Sequence, residues 1–170
     1  LVLGASFPEH YGALAKEDIR ATVFSLQQAQ RMETYASEAD NKIFVHIKVD
    51  TGMSRLGFQV SRQTADEIAQ IAGMPHIVVE GMFTHFAKSD EKDKTMTREQ
   101  LGKFREMEQL LKERGISVPI CHCANSAAII DMPETNMDMV RAGISLYGMW
   151  PSAEVQKEHV DLQPVLSLKS

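Results

Sequence analysis

Ile43-Phe44-Val45-His46-Ile47-Lys48-Val49-Asp50 reads as a strand with two unlike faces. Side chains alternate along a strand, so Ile43, Val45, Ile47 and Val49 share one face and Phe44, His46, Lys48 and Asp50 share the other. A central strand of an open α/β sheet is covered by helices on both sides and reads apolar on both. A face carrying His and Lys fits the inward side of a barrel near its mouth, where barrel enzymes collect polar groups at the C-terminal strand ends. This strand therefore favours an α/β fold built as part of a (β/α)8 TIM barrel over a doubly wound sheet.

Outward from it, strand-like and helix-like stretches alternate. Thr22-Val23-Phe24 precedes a helix that Ser25 opens, with Gln28 at the capping-box spacing and Leu26, Ala29, Met32 and Ala36 at helical spacing. Ser61 caps a helix carrying Ala65, Ile68, Ala69 and Ala72, which Gly73 and Pro75 close. Ile77-Val78-Val79 opens a strand running toward His85. Charge alternates densely over residues 88–99, as in a solvated loop and helix start. Thr97 with Gln100 has the spacing of a second capping box, and Leu101, Phe104, Met107 and Leu111 line the helix that Gly115 ends. Residues 118–124 read as a strand, 126–130 as a short helix and 140–147 as a strand. About six strands joined through helices by short connections are parallel βαβ units. No Gly-x-Gly-x-x-Gly or Walker A pattern occurs, which lowers the weight of the nucleotide-binding versions.

Leu1-Val2-Leu3, closed by Gly4, and Pro164-Val165-Leu166-Ser167-Leu168-Lys169-Ser170 also have strand patterns. With no initiator Met, they carry the expectation that this is a segment of a longer protein. The 170 residues are 44% hydrophobic and 24% charged, and 18 Lys and Arg against 23 Asp and Glu give a net charge of −5. That acidity argues against a nucleic-acid partner or an anionic membrane surface, both of which reward clustered Lys and Arg. No apolar run approaches the roughly 20 residues that span a bilayer. Residues 1–10 have no basic n-region of a secretory signal. Two cysteines, Cys121 and Cys123, are too few and too close for a disulfide framework, so a cytoplasmic protein is the expectation.

Polar groups follow four strands in turn: Lys48, Asp50 and Arg55; His85; His122, Asn125 and Ser126; Arg141, Gly143 and Ile144. Their recurrence at strand ends points to an enzyme. Cys121-His122-Cys123 does not make a metal site: the cysteines share a face opposite His122, and no further ligand pair completes four. No metal is expected, and the cysteines read as buried small hydrophobes. Asn125-Ser126 at a helix start, with Gly143 where backbone can approach a ligand, suits a phosphate. On spacing alone, a plain N-cap and a plain strand glycine serve equally well.

The residues His46-Ile47-Lys48-Val49-Asp50-Thr51-Gly52-Met53-Ser54-Arg55-Leu56-Gly57 resemble the signature of the alanine racemases, which depend on pyridoxal phosphate. Gly81-Met82-Phe83-Thr84-His85-Phe86, His122-Cys123-Ala124-Asn125-Ser126-Ala127 and Val140-Arg141-Ala142-Gly143-Ile144-Ser145-Leu146-Tyr147-Gly148 match that family in the same order. The resemblance spans essentially the whole chain. It implies the third to eighth strands of the N-terminal barrel, with residues 1–170 an incomplete domain. By it, Ser126 with the N–H groups of Gly143 and Ile144, beside Asn125, would hold the cofactor phosphate. His85 would pack against the pyridine ring and Arg141 would face its nitrogen. Arg55 would meet the cofactor's phenolic oxygen and the substrate carboxylate. Lys48 matches a lysine carbamylated in many members, and His122 would support Arg141 from behind.

The resemblance further implies a homodimer that interconverts L- and D-alanine by two-base proton transfer and supplies D-alanine for peptidoglycan. The Schiff-base lysine of that family lies in the first barrel strand, and its tyrosine base in a C-terminal β-domain. No Lys-Ala-Asn-Ala-Tyr-Gly-like motif occurs in this chain, so the segment alone is expected to be inactive. With strands absent from a closed barrel, it is also expected to self-associate or to be of low stability. Alternatives are a serine racemase relative of the same fold, or a non-enzymatic pyridoxal-phosphate carrier barrel, whose Ser-Met-Gly-Met-like loop this chain lacks. Outside that cofactor's chemistry stands a phosphate-handling barrel isomerase or aldolase.

Overall fold

The structure, a computed structural model, describes residues 1–165. Its sheet is built from β1 (Ala21–Val23), β2 (Ile43–Asp50), β4 (Ile77–Phe83) and β5 (Ile120–His122), all parallel and adjacent in that order, with the short β3 (Phe58–Gln59) beside the end of β2. Each main strand lies next to its predecessor with no reversal of order. Doubly wound sheets reverse direction at a switch point, whereas a barrel wall does not.

Helices α1 (Tyr11–Lys16), α2 (Leu26–Glu38), α3 (Arg62–Ala72) and α4 (Thr95–Lys112) pack successively side by side. Between them and the sheet lies one core, in which Val23, Val45, Ile47, Met32, Ile68, Met82 and Phe104 are wholly buried. Local chemistry fixes the helix starts. The Ser25 hydroxyl accepts the Gln28 N–H at 3.2 Å, while Gln28 Oε1 reaches back to the N–H of Phe24 at 3.0 Å. Ser61 likewise caps α3 through the Thr64 N–H. Asn125 caps the short α5 (Ser126–Asp131) through the Ala128 N–H.

Four expectations change. Thr97 is not a cap: Asp93 accepts from both the N–H and the hydroxyl of Thr95, so α4 begins earlier and Thr97 and Gln100 are buried within it. Leu1-Val2-Leu3 forms no strand; the Val2 N–H donates to Arg20 O, but the exposed Leu1 and Leu3 have no sheet neighbour. Residues 140–147 do not extend as a strand. The Asp138 and Arg141 N–H groups donate to Cys121 O and Ala124 O, and Gly143 then turns the chain into a 3-10 helix over Ile144–Tyr147. Among the described residues, four main strands and the short β3 therefore stand where about six were expected. The pattern at 164–170 falls mostly on residues 166–170, outside the described residues.

Candidate active site

The inner side of the sheet, away from the helices, carries His46, Lys48, Phe83 and His122. A cavity of about 420 Å³ opens at the C-terminal strand ends, lined among others by Met53, His85, Phe86, Asn125, Ser126, Arg141, Gly143 and Ile144. It gathers the turns after β4 and β5 and the segment beyond α5.

Arg141 is held as few surface arginines are. Its Nη2 donates to Thr84 O at 2.6 Å and Cys123 O at 3.0 Å, and its Nη1 donates to His122 Nδ1 at 2.6 Å and His122 O at 3.2 Å. A guanidinium has five N–H bonds and no acceptor. Both terminal nitrogens are occupied, and Nε–H is buried with no partner among the described residues. Burial lowers the Arg141 pKa to about 10, so it stays charged at neutral pH.

Ser126 is hydrogen-bonded directly to Arg141's segment at the cavity wall. Its Oγ accepts from the Gly143 N–H at 2.9 Å and from the Ser145 hydroxyl at 3.1 Å. Two lone pairs so engaged leave the Ser126 hydroxyl proton free to donate. The Ile144 N–H opens the adjacent 3-10 turn, where the first N–H groups have no partner inside the helix. Asn125 contributes its cap, and its Oδ1 also accepts from Ser89 Oγ at 2.8 Å.

His85 lines the cavity, and its pKa falls to about 4 through burial and through the charges of Arg141, Lys48 and Arg55. It is a neutral imidazole at pH 7. Lys48 is 3% exposed, its Nζ has no hydrogen-bond partner among the described residues, and it lies 4.8 Å from the Phe83 ring centroid. Burial first, then Arg141 and Arg55, bring its pKa down to about 7. His122 is fully buried beneath Arg141, stacked on Phe83 at 4.7 Å, and burial pushes its pKa down to about 2.

Arg55 is not brought into the main cavity. It is exposed on the loop after β2 and lines a neighbouring cavity of about 470 Å³ with Phe24, Leu56 and Gly57. Asp50 shapes that loop: Oδ1 accepts from the N–H groups of Gly52 and Ser54 at 2.9 and 3.0 Å, and these bonds outweigh burial to lower its pKa. A Cβ on Gly57 would lie 2.5 Å from the Asp50 backbone nitrogen. Glycine is therefore needed where the loop returns.

Sequence reasoning missed Gln100, Thr84 and Glu80. Gln100 reaches in from α4: its Nε2 donates to Thr51 Oγ1 and His85 O at 3.2 Å each, and its Oε1 accepts from the Ala87 N–H at 2.9 Å. Its capping-box spacing to Thr97 hid this; a buried Gln on an apolar helix face is the signal that could have found it. Among the described residues, no group of three or more His, Cys, Asp or Glu side chains could hold a metal ion. No helix among them is long and apolar enough to cross a membrane.

Residues 1–151 match the family model described as alanine racemase, N-terminal domain. An alanine racemase of Methanococcus maripaludis is 47% identical over 169 residues, which are 99% of this chain and 45% of the relative. One from Clostridium tetani is 44% identical over 170 residues, 44% of its length. The solved alanine racemase of Clostridium difficile 630 in complex with cycloserine superposes with a TM-score of 0.94 at 41% identity, over 95% of this chain and 44% of that one. A histidine racemase of Leuconostoc mesenteroides superposes at 0.85 with 25% identity, over 96% of this chain and 43% of that one. The chain thus spans a little under half the length of the relatives it matches.

Proposed function

We propose, from the premise that this chain belongs to the alanine racemase N-terminal-domain family, that it is the cofactor-holding barrel portion of a racemase that interconverts L- and D-alanine with pyridoxal 5'-phosphate. The observation that carries this reading is Arg141, a cation fixed by four hydrogen bonds on the cavity wall with one buried N–H left over. An unpaired buried donor is costly, and it suits a ligand that brings a neutral acceptor.

Bound pyridoxal phosphate would supply a ring that withdraws electrons and so acidifies the substrate α-carbon. Arg141 can only donate, so its Nε–H would leave the ring nitrogen unprotonated and moderate that withdrawal. Moderation suits return of a proton to the α-carbon over transamination. His85, neutral at pH 7, would flank the ring without adding charge. The Ser126 hydroxyl and the Ile144 N–H, with Asn125 shaping the turn, would hold the phosphate, and the Gly143 N–H would join them by exchanging its Ser126 Oγ partner for a phosphate oxygen.

Arg55, from the adjoining cavity, would receive the substrate carboxylate and the phenolic oxygen. Lys48, with a pKa near 7, is substantially uncharged at neutral pH, and its amine can add carbon dioxide with loss of a proton. The resulting carbamate would place an anion among Arg141 and Arg55, whose charges disfavour the ammonium form there. A carbamate 13C resonance in the folded full-length polypeptide equilibrated with 13C-bicarbonate, absent from Lys48→Met, would test this.

Two-base racemisation needs a base on each face of the α-carbon. By the family resemblance those bases are a lysine and a tyrosine outside residues 1–170, in the first strands and a C-terminal β-domain of the full-length polypeptide. The proposal therefore includes a homodimer, a cytoplasmic location, supply of D-alanine for peptidoglycan, and inactivity of the 170 residues alone. The histidine racemase likeness shows that this barrel serves more than one amino acid among its relatives. The 41–47% identity to alanine racemases favours alanine.

The test is D-alanine formation by the full-length polypeptide with pyridoxal phosphate, with L-serine and L-histidine compared as substrates. The proposal expects alanine to be turned over fastest, and the 170-residue chain to give no product. Faster turnover of serine or histidine, no turnover with cofactor bound, or activity of the short chain would overturn it.

A further inference from the structure

Behind Arg141 a row of polar groups that the proposed chemistry leaves unused runs from the buried His122 and His46 to the half-buried Glu80 and Arg20. Arg141 Nη1 donates to His122 Nδ1. Because arginine cannot accept, the His122 proton must sit on Nε2, which lies 2.8 Å from His46 Nδ1. His46 Nδ1 therefore accepts, and the His46 proton sits on Nε2, 3.2 Å from Glu80 Oε2. Arg20 closes the row with Nε and Nη2 on the two Glu80 oxygens at 2.9 Å each. Every proton position is thus dictated from the two ends. One end is donor-only, and the other is a carboxylate that Arg20 holds below the ordinary glutamate pKa.

The backbone is altered to make this possible. The register between β2 and β4 runs Val45↔Val79 and then His46↔Gly81, so Glu80 is the extra residue of a β-bulge. A bulge re-aims side chains, and here the Glu80 carboxylate reaches the inner face beside His46. At the next residue glycine is required, because a Cβ on Gly81 would run into the His46 imidazole. Two neighbouring departures from a regular strand serve one contact.

We infer that Glu80, acting through His46 and His122, is a positioning residue: the anionic end of a one-way hydrogen-bond chain that fixes Arg141, with its unpartnered Nε–H, on the cavity wall. Without the carboxylate, the His46 Nε2–H loses its acceptor and only Arg141 still sets the direction, so the form with the His46 proton on Nδ1, pointed at His122, gains population. His122 would then turn its own proton toward Arg141, donor against donor, and Arg141 would lose its shortest imidazole contact. Both imidazoles are kept neutral, chiefly by burial, with Arg141, His46 and Lys48 facing His122, and Glu80 and Arg20 facing His46. A neutral imidazole is what a directional relay of single hydrogen bonds requires.

The role at the ring nitrogen rests on the function proposed above; the direction of the chain does not. The experiment is histidine-selective 15N NMR of the full-length polypeptide, with and without pyridoxal phosphate, in wild-type, Glu80→Leu and Glu80→Gln forms. In the wild type at pH 7, His46 and His122 are both expected to carry the proton on Nε2 with bare Nδ1. In Glu80→Leu the His46 tautomer becomes mixed, the bound cofactor's absorbance shifts, and kcat drops about tenfold to a hundredfold, the usual range for partners of site ligands. Glu80→Gln, which keeps an acceptor oxygen, restores the tautomers and most of kcat. An Nδ1–H or doubly protonated ring in the wild type, or unchanged tautomers, absorbance and kcat in Glu80→Leu, overturns the inference. Should Glu80→Leu not fold, the wild-type tautomers and the Gln form still decide. Failure of the whole polypeptide to bind pyridoxal phosphate, with the tautomers as stated, removes the proposed function and leaves the chain standing.

Discussion

The two faces of β2 belong to different economies of the same strand. Outward, Ile43, Val45, Ile47 and Val49 are at most 1% exposed and belong to the one apolar core under the helices. Inward, His46 and Lys48 are as thoroughly buried, yet every neighbour that matters is polar or aromatic: Glu80, His122, Phe83. Burial of apolar groups contributes stability. Burial of a lysine without a partner, and of an arginine with an orphaned N–H, costs it. The outer face holds the fold together, while the inner face draws on that stability to build a site.

If this division is right, substitutions on the two faces should fail differently. The largest expected effect is Arg141→Ala in the full-length polypeptide: kcat/KM should drop by about 10²–10³-fold, as on removal of a fixed charge-stabilising donor. Arg141→Lys should recover little, because one ammonium cannot serve four acceptors and a ring nitrogen together. Retention of wild-type kcat/KM in Arg141→Ala would erase the distinction between the faces.

Next, Ile47→Ala on the outer face should reduce unfolding free energy by about 2–5 kcal/mol in denaturant titrations. The cofactor affinity of the molecules that remain folded should be unchanged. A shift in that affinity comparable with the Arg141 variant would show that the faces are coupled.

Titration of the inner face gives the third test. His122 and His85 have folded pKa values of about 2 and 4, below the ordinary 6.5. The unfolded chain therefore binds more protons below pH 6.5, and stability present above that pH is lost as pH falls toward 4 and beyond. For the fully buried His122 the slope approaches about 1.4 kcal/mol per pH unit. Lys48, lowered from 10.5 to about 7, acts the same way at higher pH. In carbon-dioxide-free buffer, stability should rise between pH 7 and the ordinary cysteine pKa of 9.0, above which the raised thiol pKa values of Cys121 and Cys123 work against it, and Lys48→Met should abolish that rise. A flat profile in either window would mean that these groups are solvated in the folded chain.

The smallest effect expected is Ser25→Ala, about 1 kcal/mol for loss of an N-cap, with cofactor binding untouched. Thermal unfolding measures it, and a loss in affinity there would contradict the separation.

What the sequence disclosed follows the range of each interaction. The caps at Ser25, Ser61 and Asn125 are local and were legible from spacing. The two faces of Ile43–Asp50 were legible because a strand's alternation survives whatever it packs on. Thr97 and Gln100 misled because capping-box spacing also arises inside a helix, and Asp93 had already taken the helix start. Residues 140–147 misled because the Asp138 and Arg141 N–H bonds to Cys121 O and Ala124 O, and the Arg141 side-chain bonds to carbonyls just past β4 and β5, set the backbone there, against the local apolar alternation. Glu80 was invisible for the same reason: a bulge is a relation between two strands. Gly81 on its own gives no notice of the His46 ring it admits. Of the candidate site, the residues around the cavity could be named from their positions at strand ends, whereas the exposure of Arg55 outside it could not.

The proposed function requires the cavity lined by Ser126, Arg141, Gly143 and Ile144 to be a pocket for a phosphate-bearing pyridine. The most direct measurement is the dissociation constant of pyridoxal 5'-phosphate against that of pyridoxal, its dephosphorylated form, on the full-length polypeptide and its Ser126→Val variant. The account predicts that the phosphate form binds at least about 100-fold more tightly, the equivalent of two charge-assisted hydrogen bonds, and that Ser126→Val narrows the gap. Equal affinity for the two forms, or a gap that Ser126→Val leaves intact, would contradict it.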